Sequence, residues 1–251
     1  MALADEMGAQ LVVFNYGHVD ERGEQGPYLA FDDEVLDLQE LGLDTYIWRY
    51  FMPYRHGHEA WSKLWRRDVM EAHRLRFEPN DEIFAEDTLF TAMYLMHTRT
   101  LAAKNALYVH YLQRGDSIMG LRKPRLCGRL TTLAIRLSAY ARACGREREL
   151  RNALPVFCYD KLICKAIKLD ESAQGAADAL SALSGDETLR ALMRRLLGPG
   201  PLLAYTLRTR RGLRSQLTAR LFAWRVLRGR GEAAVRLIRP ARPDKEREGE
   251  A

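Results

Sequence analysis

At 251 residues the chain is long enough for one or two domains with a sizeable core. Its 47% hydrophobic content excludes an intrinsically disordered chain, and no apolar run approaches the roughly 20 residues of a membrane span. The net charge of +6 favours acidic partners: phosphate, nucleic acid or anionic lipid.

Most of the basic residues are Arg; Lys stands only at 63, 104, 123, 161, 165, 168 and 245. A coding bias explains this, or a use for Arg, whose planar fork binds two oxygens of a diphosphate at once. The cysteines, Cys127, Cys144, Cys158 and Cys164, form no Cys-x-x-Cys pair and read as reduced, buried thiols. The opening Met-Ala-Leu-Ala-Asp-Glu turns acidic at once, so no signal peptide is expected and the location expected is cytoplasmic.

In chain order, Met1 to Met7 reads as the last turns of a helix ended by Gly8. Gln10 to Tyr16 is a continuous apolar run, expected to be a buried strand. Gly17 to Pro27 is polar and rich in turn residues. Leu36 to Met52 is a mixed segment. Trp61 to Trp65 is expected to be extended, and Asp68 to His73 a helical turn. Glu86 to Met96 predicts a helix with Leu89, Met93 and Met96 on one face. Leu107 to Leu112 predicts a strand. Near Pro124 the composition shifts to Ala, Leu and Arg, predicting successive helices broken at Gly145, Gly185 and Gly198-Pro-Gly-Pro201. The tail from Pro240 is charged and expected to be disordered. The expected organisation is therefore 1–124, 125–239 and a tail, 240–251.

Four segments carry the chemistry. They are Ala9-Gln-Leu-Val-Val-Phe-Asn-Tyr-Gly-His-Val-Asp-Glu-Arg-Gly23; Trp61-Ser-Lys-Leu-Trp-Arg-Arg67, followed by Phe77; Ile83-Phe-Ala-Glu-Asp-Thr-Leu-Phe90; and Tyr108-Val-His-Tyr-Leu-Gln-Arg-Gly-Asp-Ser-Ile-Met119. In this order and spacing they resemble the family 2 glycosyltransferases that build bacterial capsular and cell-surface polysaccharides. The resemblance covers about residues 1 to 122. It departs at Ser62, where the family usually has Asn, at Ala85, where it has Gly, and at Leu112, where it often has Arg.

The resemblance implies an α/β fold: part of a GT-A-type domain followed by an all-α extension. It implies inverting transfer from a nucleotide-sugar to a glycan or lipid-linked acceptor. It also implies an upstream nucleotide-binding half ending in an Asp-rich motif that holds a divalent metal, Mg or Mn. This sequence does not show that motif; Asp32-Asp33 follows the first strand and reads as a surface turn. A truncated enzyme, weakly active or inactive alone, is therefore expected. A relic of the fold serving as a basic helical membrane- or protein-binding module is the alternative.

By resemblance Asp87, of the Glu86-Asp87 pair, is the general base that takes the acceptor hydroxyl's proton. Its place at a helix start favours the ionised form. By residues alone, Glu86 and Asp87 equally describe a helix N-terminus. Trp61 suits stacking on a sugar ring or a place in the core. Lys63 suits contact with a phosphate or acceptor. Arg114 matches an Arg that would neutralise the leaving diphosphate, or is a solvated strand-end residue. His110 replaces a Tyr of the same strand. His56-Gly57-His58 lacks further ligands at metal-site spacing, so no metal is expected there.

Between Pro201 and Pro243 stand eleven Arg and one acid, Glu232. Leu213, Leu217, Leu221 and Trp224 form a stripe at helical spacing. The stripe suits either an anionic membrane surface, peripheral at its inner face, or ordinary packing. No nucleic-acid motif accompanies the charge.

Overall fold

The structure, a computed structural model, describes residues 8–20, 23–112, 123–209 and 212–240, together with Asp5. Arg114 and the tail beyond Pro240 lie outside the described residues, as does nearly all of Met1 to Met7.

The sheet is built on the apolar run seen in the sequence. Strand β1 (Leu11–Asp20) pairs in parallel with β5 (Thr100–Leu112). Strand β2 (Gly23–Pro27) and β4 (Lys63–Trp65) flank β1, and β3 (Glu34–Asp37) flanks β5, all antiparallel. A central strand with neighbours on both sides explains why Leu11 and Val13 are fully buried. Gly17–Pro27, expected as a turn-rich stretch, is instead the end of β1 and all of β2. Strand β5 begins seven residues before the strand expected at Leu107.

Asn15 sits where the β1–β5 register slips, from Phe14 opposite Lys104 to Asn15 opposite Leu107. A bulge leaves ladder groups unpaired. The buried Asn15 amide meets them: Nδ2 donates to Leu29 O (2.7 Å) and Asn105 Oδ1 (2.8 Å), and Oδ1 accepts from Leu29 N and Tyr16 N (2.9 Å each). Asn15 thereby fixes both the bend of β1 and the chain segment returning at Leu29.

Helices α1 (Leu38–Leu41) and α2 (Leu43–Tyr46) lead into a π-helical segment at Ile47–Phe51. Helix α3 is Arg67–Ala72 and α4 is Glu86–Leu95. Every residue of α4 from Thr88 to Leu95 is buried, so the single apolar face expected for it is a helix enclosed on all sides.

From Leu126 on, the described elements are helical, as the composition predicted: α5 (Leu126–Ala143), α6 (Ala153–Phe157), a π-helical segment at Cys158–Ile163, α7 (Cys164–Leu169), α8 (Ala173–Leu183), α9 (Glu187–Leu197), α10 (Pro199–Thr209), α11 (Leu213–Leu227) and α12 (Gly231–Ile238). Helix α5 packs on α4, and Leu89, Phe90, Leu133, Leu137 and Phe157 share one hydrophobic core. Burial of such a side chain contributes about 1.5–3 kcal/mol. Polar ties cross the same junction. Asp44 Oδ1 accepts from Ala153 N (2.9 Å), Glu149 Oε1 from Leu43 N (2.8 Å), and Arg146 Nε donates to Met96 O (3.0 Å). Cys127, Cys158 and Cys164 are buried thiols; Cys144 is partly buried.

The C-terminal stripe has a definite address. Helix α11 turns Ala219, Phe222, Ala223 and Val226 inward, at i, i+3, i+4 and i+7. Leu213 (74% exposed), Leu217 (64%), Leu221 and Trp224 stay in solvent, and Arg228 and Arg230 stack over the Trp224 ring. The stripe is thus not packed against the core.

Candidate active site

The site grows from the start of α4. Its N-cap, Ala85, has φ +70° and ψ +52°, the left-handed conformation, and offers no side-chain cap. An alanine there is strained, whereas a glycine is not. This gives a physical reason for the Gly that the resemblance expects at this position.

The two acids that follow do different things. Glu86 lies where the Asn80 amide nitrogen, turned toward it, donates at 2.9 Å. Asp87, in the first turn of α4, is half-buried and has the backbone N–H of Ala60 as a partner. Burial raises its pKa above the usual carboxylate value; the Ala60 N–H opposes this, Glu86 and Glu59 add to it, and Lys63 opposes it. The helix start favours the ionised form, yet the net shift of Asp87 is upward, with burial its largest cause.

Lys63 is only 5% exposed. Its Nζ donates to Glu59 O (2.7 Å) and Ser62 Oγ (3.2 Å) and lies 3.9 Å from Glu59 Oε1. Burial pushes the ammonium down to about 8 against the pull of Glu59 and Asp87. Lys63 is thus an internal countercharge, placed between the two carboxylates rather than on the surface.

Glu59 is the residue that sequence reasoning missed. It is buried, and its carboxylate accepts from Ser62 Oγ (2.6 Å), Tyr54 OH (2.5 Å) and the His58 N–H (2.9 Å). Gly57, at φ +63°, approaches so closely that a Cβ there would overlap this carboxylate. The available signal was the i, i+4 spacing of Glu59 and Lys63. Ser62 hydrogen-bonds both ends of that pair.

Trp61 follows Ala60, so its ring is anchored one residue from the Asp87 contact. It is 39% exposed, stacked on Tyr111 (centroids 5.5 Å, 13°) and edge-on to Tyr16 (4.5 Å). Tyr16 in turn stacks on Tyr28, and His18 on Tyr28. These rings form an aromatic floor at the β1–β5 edge. Burial raises the Tyr16 pKa well above its ordinary value, with Glu59 adding to it.

His110 is exposed and neighbours Tyr111 on β5, so the strand alternation puts it on the other face, away from Trp61. The structure thus groups Asp87, Glu86, Lys63 and Trp61 and leaves His110 outside. His56 is a buried structural residue and His58 a partly buried one. His56 Nδ1 lies 3.0 Å from Tyr46 OH, and His58 Nε2 donates to Phe51 O (2.7 Å). Burial holds them down to about 3 and about 4, and for His56 the charges of Lys63 and Arg55 add to it. Asp32 and Asp33 are exposed before β3, and Asp33 pairs with Lys104, the surface bend expected.

This geometry finds counterparts among solved structures. Residues 1–349 of S. aureus TarS in complex with UDP match with a TM-score of 0.58, at 12% identity, over 94% of this chain and 59% of that one. The complex of the same protein with UDP-GlcNAc matches with a TM-score of 0.60, at 12% identity, over 94% and 60%. The fold is of the GT-A type. The helical C-terminal portion belongs to the same match, and the chain spans about 60% of the length of the TarS chain. No model of a protein family matches the sequence, and no curated protein does.

Among the described residues no three His, Cys, Asp or Glu side chains converge in a way that would hold a metal ion. The described residues around Asp87 thus offer no ligand set that fits the divalent metal, which the resemblance assigns to an upstream Asp-rich motif.

Proposed function

We propose that this GT-A-type chain belongs to an inverting, family 2-like glycosyltransferase of cell-surface polysaccharide synthesis, and that residues 1–124 form its acceptor side. The observation that carries the reading is Asp87. It is a half-buried carboxylate whose pKa is raised by burial, and it faces the backbone N–H of Ala60, the residue before the exposed Trp61. A carboxylate of raised basicity at an aromatic floor suits removal of a proton from a sugar hydroxyl as it attacks the anomeric carbon. Trp61 and Tyr111 supply the flat apolar surface on which a sugar ring rests. Lys63 and Glu59 hold the Trp61–Trp65 segment, and so Ala60 and Asp87, in position.

The donor proposed is a nucleotide-sugar; UDP-GlcNAc is the first to try, because TarS binds it. The test is calorimetry with UDP- and GDP-sugars and Mn²⁺, on residues 1–251 and on the longest open reading frame product containing them. Acceptor-dependent release of nucleoside diphosphate is then followed. Donor binding by the longer product, with release lost in Asp87→Asn, supports the reading; absence of donor binding in both overturns it. Arg114 is proposed as a contact of the leaving diphosphate on sequence grounds only.

A second reading rests on the exposed Leu213, Leu217, Leu221 and Trp224 stripe with its Arg border. We propose that residues 201–239 rest on an anionic membrane surface, by insertion of these side chains and attraction of the arginines. Flotation with phosphatidylglycerol vesicles that is lost in Leu217→Asp/Trp224→Asp supports this; flotation unchanged by that variant refutes it. No described helix is long and apolar enough to cross a membrane.

A further inference from the structure

A second concavity shares no residue with the site around Asp87. It has a volume of about 580 Å³ and lies between the π-helical segment at 47–51 with its following turn and the helices at 160–161 and 205–209. Its charged lining is Arg49, Arg55, Lys161 and Arg208 against the carboxylate of Asp160. Asp160 is itself engaged by Tyr205 OH (2.9 Å) and Lys161 Nζ (3.3 Å). Asp44, which feels the charge of Arg208, is not part of the lining, and its carboxylate accepts from Ala153 N.

Each of the three guanidinium groups lies over an aromatic ring: Arg208 over Trp48 (5.7 Å to the centroid), and Arg49 and Arg55 over Tyr50 (5.8 and 6.0 Å). A ring attracts a guanidinium without using its N–H donors, which stay available to an oxyanion. Among the described residues Arg49 and Arg208 form no ion pair, and Arg55 gives its Nε to Ala30 O (3.3 Å). Like charges gathered in one concavity repel each other until an anion enters. Lys161 is paired with Asp160, which leaves three guanidinium groups spread over a volume in the small-molecule range, more than one phosphate can use. We propose that this groove binds a ligand bearing two or more phosphate groups, separately from the Asp87 site and without dependence on it.

The probe is inorganic tripolyphosphate, titrated calorimetrically into the full 251-residue chain at about 0.15 M salt, where loose surface charges are screened beyond about 8 Å. The test variant is Arg49→Gln/Arg208→Gln. Arg67→Gln/Lys168→Gln removes the same charge from exposed positions outside the groove, and circular dichroism checks that both fold. The expected result is binding that weakens at least about tenfold in the groove variant, the loss expected for charge-assisted hydrogen bonds. It should change less than about twofold in the control and in Asp87→Asn. Phosphatidylcholine vesicles with and without phosphatidylglycerol separate the sources. If the groove holds lipid headgroups, tripolyphosphate displaces the chain from the charged vesicles and the groove variant floats less. If it holds a free phosphate chain, flotation is the same in the groove variant and the wild type. No tripolyphosphate binding, or equal weakening in both variants, overturns the proposal.

Discussion

Replacing Ala85 by glycine should stabilise the protein, although it removes a methyl group and adds backbone freedom. Ala85 caps α4 at φ +70°, where an L-residue with a Cβ costs about 1–2 kcal/mol. Glycine is also the better N-cap of the two, since Ala loses about 1 kcal/mol against good caps and Gly only a few tenths. Against this stands the entropy of a more flexible unfolded chain, about 0.4–1 kcal/mol. The balance favours glycine by about 1 kcal/mol. For a chain of this size that is a rise in Tm of about 2–4 °C. Urea denaturation of wild type and Ala85→Gly measures it: the midpoint should rise at unchanged slope. An unchanged or lowered midpoint would show that Ala85 is not held in the left-handed region, and the description of the N-terminus of α4 would be wrong.

Other outcomes follow from the buried charges and the aromatic floor. Glu59→Gln removes the countercharge that holds the Lys63 ammonium up, so the Lys63 pKa should fall below about 8, read from ¹³C shifts of labelled lysine; a rise would contradict the Lys63–Glu59 pairing. His58 is partly exposed, and desolvation depresses its pKa to about 4, while the unfolded value is about 6.5. The unfolded state therefore takes up the extra proton first, and stability falls as pH drops from about 6.5 to about 4, by up to about 1.4 kcal/mol per unit. Denaturation of wild type and His58→Gln across that window checks this, since the variant's slope should be shallower. Trp61→Ala should raise the KM for acceptor about tenfold or more and leave that for donor unchanged, the pattern expected when a stacking surface worth about 1–2 kcal/mol is lost. Equal changes in both KM values would make Trp61 a packing residue only.

What the sequence made visible follows physical lines. The apolar run at Leu11 to Tyr16 and the Ala/Leu/Arg helices were legible because period and composition carry them. Strand β2, Gly-Glu-Gln-Gly-Pro, has almost no strand propensity and exists because β1 offers it an edge. The first half of β5 was hidden because Lys104 and Asn105 interrupt its pattern at the bulge. On α11 the leucines drew attention, yet Ala219, Phe222, Ala223 and Val226 make the packed face. Small residues fit a close approach, and leucines need not be buried. At the site, Glu86, Asp87, Lys63 and Trp61 were picked out and do come together. Glu59 was not, because burying a carboxylate depends on partners, Tyr54 and Ser62, that only the folded chain brings to it.

The central claim is that Asp87 removes the acceptor proton. The direct measurement is the rate of sugar transfer by Asp87→Asn at saturating nucleotide-sugar, beside its donor affinity by calorimetry, in the longest reading-frame product that binds donor. The account predicts donor affinity within about twofold of wild type and transfer reduced by about 10²–10⁴-fold, the range for loss of a general base. Transfer within a few-fold of wild type would contradict it and reduce Asp87 to a structural partner of Ala60.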